Sequence, residues 1–118
     1  MHRDLKLENV IFKNKPLFED DEQDLTIKVI DFGIAGVCDN GKTEKQDAGS
    51  LCYMPPETLM GKAVDAAPSI DVWAIGIMFY SLLYGTLPFY GKGEDQTVKL
   101  IKTAPVKYPK DIIVTPQT

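Results

Sequence analysis

The chain has 118 residues, 44% of them apolar, with a formal net charge of −4 and two cysteines. That length holds at most one modest domain, and the apolar share suits a packed core and excludes wholesale disorder. The acidic balance comes with no basic cluster, which argues against nucleic acid as a partner. Cys38 and Cys52 make no metal or disulfide pattern, so a reducing compartment is the default.

The longest apolar stretch, Val72 to Tyr84, is too short to span a bilayer. His2, Arg3 and Asp4 are followed by no apolar run of the kind a signal peptide needs. The expectation is a cytoplasmic chain with no membrane partner.

The sequence opens Met1-His2-Arg3-Asp4-Leu5-Lys6-Leu7-Glu8-Asn9-Val10-Ile11-Phe12. Side chains two apart on extended backbone point the same way, so Leu5 and Leu7 face one side and Asp4, Lys6 and Glu8 the other. Asp4 can accept a proton from an attacking hydroxyl, and Lys6 can neutralise a developing negative charge. Val10 to Phe12 reads as a short strand. Lys13 to Leu25 is polar, holds Pro16 and carries the acidic run Glu19 to Asp24. It reads as a solvated loop rather than a docking site for a basic partner.

Thr26 to Ile30 alternates, is rich in β-branched residues and reads as a second strand. If the two strands pair as a hairpin, Asn9 comes to lie beside Asp31. An amide oxygen and a carboxylate converging at a strand end suit Mg²⁺, a hard ion that keeps waters and takes phosphate oxygens as ligands. Residues 34–48 are irregular, with turn signals at Gly36 and Asp39-Asn40-Gly41. A short helix is predicted from Pro56 to Met60, stopped by Gly61.

Ser69 is the predicted N-cap of a helix from Ile70 to Tyr84, with Asp71 suiting the dipole in its first turn. The segment is apolar on nearly every face, the pattern of a buried helix, and Gly85 and Pro88 end it. A last amphipathic helix is predicted from Asp95 to Thr103, with Val98, Leu100 and Ile101 inward. Pro105 and Pro109 bound a final loop.

Four stretches, in this order and spacing, resemble the eukaryotic protein kinases: His2-Arg3-Asp4 with Asn9; Asp31-Phe32-Gly33; Gly49-Ser50-Leu51-Cys52-Tyr53-Met54-Pro55-Pro56-Glu57; and Ser69-Ile70-Asp71-Val72-Trp73-Ala74-Ile75-Gly76. The resemblance implies an α+β fold, the mostly helical C-lobe portion of a kinase with a small β-hairpin near the N-terminus. It implies that Asp4 is the catalytic base, that Lys6 contacts the γ-phosphate of ATP, and that Asn9 and Asp31 hold Mg²⁺. Phe32, Gly33, Ser50 and Glu57 fall in the activation segment and substrate floor. Asp71 becomes the anchor of the catalytic-loop backbone. Lys6 two residues after Asp4, together with Ser50, is the serine/threonine pattern, which makes protein serines and threonines the substrates.

The overall flavour is that of the calcium/calmodulin-dependent and AMP-activated-like kinases. Ser81 stands where arginine-directed relatives often carry an acid. Counting three back from Gly49 gives Gln46 where many kinases carry a phosphorylated threonine; Asp47 can offer Arg3 a carboxylate instead, and Thr43 is the nearest acceptor. Residues 1–118 are expected to be part of a kinase catalytic domain. The sequence shows no Gly-rich loop and no strand lysine, and Arg3, its only arginine, is not the later-helix partner that Glu57 has in the family. A regulatory domain or subunit is then expected outside these residues. The other readings are a non-catalytic kinase lobe acting as a binding or decoy module, and a metal-binding α+β domain unrelated to kinases.

Overall fold

The computed structural model describes residues 1–14, 25–33, 51–61, 68–110 and 112. The acidic run 19–24, the irregular segment 34–48 with Thr43, Gln46 and Asp47, and the site candidate Ser50 lie outside the described residues. A single 3₁₀ turn over Leu7–Asn9 feeds directly into β1 (Val10–Phe12). β2 (Ile27–Val29) pairs with it antiparallel, with Val10 opposite Val29, Ile11 opposite Lys28 and Phe12 opposite Ile27. Two further bonds extend the ladder: Lys13 N–H donates to the Thr26 carbonyl at 2.8 Å and Ile30 N–H to the Asn9 carbonyl at 2.9 Å. The hairpin expected from the alternating pattern is present, and its register sets residue 9 against residue 30, the neighbour of Asp31.

α1 (Pro56–Leu59) opens on a proline in its first turn, where the missing N–H costs nothing. Met60 caps it, and Gly61 follows at a φ of 64°, the left-handed backbone that ends helices. α2 (Ser69–Tyr84) ends on Gly85 at a φ of 66°, whose N–H donates to the Ser81 carbonyl at 2.9 Å. Both glycine stops were legible in the sequence. The start of α2 was not. Ser69 is its first helical residue and not its cap, because Pro68 already has helical backbone and its carbonyl accepts the Val72 N–H at 3.2 Å.

α3 (Glu94–Thr103) begins one residue before the predicted start. Thr97 and Ile101, one turn apart, are its buried residues, and Val98 and Leu100 are half-buried. The turn before α3 is tied back onto the helix. Gly91 N–H donates to Thr97 Oγ1 at 3.0 Å, Lys92 N–H to Gln96 Oε1 at 2.7 Å, and Thr97 Oγ1 to the Gly93 carbonyl at 2.9 Å. A Cβ on Gly91 would sit 2.7 Å from the Gln96 Cβ and 2.8 Å from its carbonyl carbon. Only glycine admits this close approach.

The core is built where α2, the Leu87–Phe89 turn and α3 meet. Ile77, Phe89 and Ile101 are buried together, with Tyr53, Leu59, Trp73, Leu87 and Leu100 packed around them. Trp73 and Phe89 stack with ring centroids 6.1 Å apart and planes 8° from parallel. Tyr80 lies against Tyr84 and Tyr108 and donates its hydroxyl to the Lys107 carbonyl at 2.6 Å, fastening the chain after α3 to α2.

The expectation of a helix buried on all sides is corrected. α2 buries Ala74, Ile77, Met78 and Tyr80, whereas Val72 is 65% and Leu82 71% exposed. The apolar composition runs around the whole helix, but the core among the described residues covers one side only. Among the described residues no helix is long and apolar enough to cross a membrane.

Candidate active site

The site begins at the first turn of α2. Asp71 turns its carboxylate onto the start of the chain. Oδ2 accepts the His2 N–H at 2.8 Å and Oδ1 the Arg3 N–H at 2.9 Å. An ionised carboxylate is an acceptor only, and two backbone donors in a row match its two oxygens. Arg3 sits at a φ of 71°. A non-glycine residue holds that conformation only where its surroundings over-determine it, and the Asp71 clamp supplies that restraint.

His2 ties the same segment to the end of β2. Its ring is buried; Nδ1 accepts the Asp4 N–H at 3.3 Å, and Nε2 lies 2.9 Å from the Ile30 carbonyl. A carbonyl can only accept, so the proton is on Nε2, and Nδ1 is the unprotonated nitrogen. The ring also packs against Phe32, centroids 4.7 Å apart. Asp31, between the two residues that His2 touches, has a φ of 62°. Its Oδ1 accepts the Gly33 N–H at 3.3 Å, and a Cβ on Gly33 would stand 3.1 Å from that oxygen. Two left-handed residues on two separate segments are thus joined through one imidazole. His2 entered the sequence reading only as part of a motif; its pairing with Ile30 depends on chain folding and has no local signal.

Asp4 is held from both sides. Lys6 Nζ lies 2.9 Å from Asp4 Oδ2. Asn9 Nδ2 donates to the Asp4 carbonyl at 2.8 Å and approaches Oδ2 at 3.4 Å. The 3₁₀ turn makes this possible, because it folds residue 9 back over residue 6, whose carbonyl accepts the Asn9 N–H at 3.0 Å. The hydrogen bond to Asp4 raises the Lys6 pKa above the ordinary lysine value. Partial burial opposes the shift, and the negative charges of Asp4, Glu8 and Asp31 reinforce it. Lys6 is therefore a fixed cation beside a fixed carboxylate.

Asn9 is buried, and both contacts to Asp4 use its amide nitrogen. Its amide oxygen is the atom suited to a hard cation. The bond from Ile30 N–H to the Asn9 carbonyl brings that residue to the strand end that Asp31 follows. Among the described residues no group of three or more His, Cys, Asp or Glu side chains could cage a metal. One amide and one carboxylate fit Mg²⁺, which keeps its waters and completes its shell with phosphate oxygens.

Tyr53 joins the following segment to the loop. Its phenol pKa is pushed up first by burial and then by the charge of Glu8, against a hydrogen bond from the Leu7 backbone. Glu57, in the first turn of α1, is half-buried and has no ion-pair partner among the described residues. Phe32 and Gly33 stand next to His2 and Asp31 as described. Asp4, Lys6, Asn9, Asp31 and Asp71 thus come from three separate parts of the chain into one connected network.

The family described as protein kinase domain matches residues 1–116. Among curated proteins, the chain is 37% identical over 115 residues to serine/threonine-protein kinase 33 of Bos taurus, covering 95% of this chain and 23% of that protein. It is 37% identical over 111 residues to calcium-dependent protein kinase 22 of Oryza sativa subsp. japonica, covering 94% of this chain and 18% of that protein. It is 36% identical over 109 residues to a probable myosin light chain kinase of Dictyostelium discoideum, with coverages of 92% and 29%. The chain therefore spans less than a third of each of these relatives.

Proposed function

The chain belongs to the protein kinase family, in its eukaryotic serine/threonine branch, and from that premise we propose that it carries the catalytic-loop part of an enzyme moving the γ-phosphoryl group of ATP to protein serine and threonine hydroxyls. In this reading residues 1–118 are a portion of the helical C-lobe. Asp4 receives the proton of the substrate hydroxyl as its oxygen bonds to the γ-phosphorus. The bond from that phosphorus to the β–γ bridging oxygen breaks, and ADP leaves. Lys6 offsets the charge on the transferred group. Asn9 Oδ1 and the Asp31 carboxylate would hold Mg²⁺, which supplies neutralisation of the phosphate oxygens. Phe32, Gly33, Ser50 and Glu57 serve the activation segment and the substrate floor, and Asp71 anchors the loop.

The observation that carries the reading is the state of Asp4. Lys6 Nζ lies 2.9 Å from its Oδ2 and Asn9 Nδ2 lies 3.4 Å from it, which orients the carboxylate beside a cation. Phosphoryl transfer has a loose transition state and asks a protein for positioning and charge, which is what this arrangement offers. The name of the rice relative, calcium-dependent protein kinase 22, favours the calcium/calmodulin-dependent side of the grouping that the sequence suggests. A cytoplasmic setting agrees with Cys52, a buried thiol with no disulfide among the described residues.

The test is transfer of labelled phosphate from Mg²⁺-ATP to a serine peptide by the full-length protein. Asp4→Asn is expected to cut turnover by ~10² or more, the share a positioned base supplies. Turnover close to wild type would remove Asp4 from the role. A second reading, a non-catalytic binding or decoy module, is favoured by one feature: the exposed apolar side of α2, with Val72, Ile75, Phe79 and Leu82. Absence of transfer by the wild-type full-length protein would select it.

A further inference from the structure

We draw no further inference here: the strongest candidate, the apolar cleft of about 590 Å³ along the open side of α2 between Val72, Gly76, Phe79, Leu83 and Tyr108, carries nothing because nothing in the structure shows what covers it.

Discussion

The Asp71 carboxylate accepts the backbone N–H of His2 at 2.8 Å across 69 positions of sequence. With the parallel bond to Arg3, it fixes where the segment that carries Asp4 starts relative to α2. The start of the helix is tied to the core, because Trp73 and Ile77 pack with Phe89 and Ile101. Core packing is thus transmitted to Asp4 through two backbone hydrogen bonds and one residue of left-handed backbone.

Asp71→Asn tests that link. An amide has one acceptor oxygen, so one of the two N–H groups loses its partner. A part-buried donor left unmade costs about 1–3 kcal/mol. The expected result is a lower urea midpoint with an unchanged slope, and a fall in turnover larger than any change in peptide KM. Wild-type stability and turnover would show that Arg3 keeps its conformation without the clamp.

His2→Phe keeps a ring against Phe32 and removes both nitrogens. The Ile30 carbonyl and the Asp4 N–H then lose their partners, at about 1–3 kcal/mol for each group left unsatisfied. Each kcal/mol corresponds to roughly 2–8 °C in Tm across the range from small to mid-sized domains. Thermal unfolding should fall by at least that step, and Mg²⁺-ATP affinity should weaken because Asp31 loses its neighbour's restraint. An unchanged nucleotide affinity would separate His2 from the geometry of Asp31.

The raised pKa of Lys6 gives a signed pH dependence. A cation whose folded value exceeds its unfolded value contributes stability in full below the unfolded value, and that contribution is lost as pH rises through the folded one. For Lys6 the window opens only above the ordinary lysine value of 10.5. The stability difference between wild type and Lys6→Gln should therefore be flat from pH 7 to 9 and shrink only at the alkaline extreme. A difference that fades between pH 7 and 9 would contradict the Asp4–Lys6 hydrogen bond as the cause.

Two glycines make a paired test of packing. Gly91→Ala forces a Cβ to within 2.7 Å of Gln96 and should cost about 1–3 kcal/mol of overpacking, read by denaturant unfolding. At Gly76, inside α2, an added Cβ would meet no atom within 4 Å, so Gly76→Ala should gain about 0.5–1 kcal/mol from helix propensity. Equal effects at the two positions would mean that the turn before α3 relaxes freely around Gln96.

Much of this molecule is written locally. Residues 10–12 and 26–30 alternate or carry branched side chains, and the strands lie there because a pleated backbone accepts such residues on both faces. Gly61 and Gly85 mark helix ends because they take left-handed backbone without a Cβ penalty. The motif spacings that place the chain among the kinases are also a property of the linear sequence. Sequence alone therefore determined the two strands, the three helices, most of their ends, the family and the side chains available for chemistry, but not the 3₁₀ turn over Leu7–Asn9, where it read extended backbone.

The tertiary structure decided what those side chains touch. Asp71 read as a helix-dipole residue and, by the family resemblance, as an anchor, but only the fold shows that it holds the His2 and Arg3 N–H groups; Ser69 looked like a cap until Pro68 took helical backbone before it. Which side of α2 is buried could not be read from a helix apolar all round, because burial depends on where Phe89 and Ile101 arrive and not on its own pattern. The left-handed backbone of Arg3 and Asp31 has no signature in either residue. Arg3 is held by Asp71, and Asp31 lies between the two residues that His2 touches; contacts of that range exist only once the chain has folded.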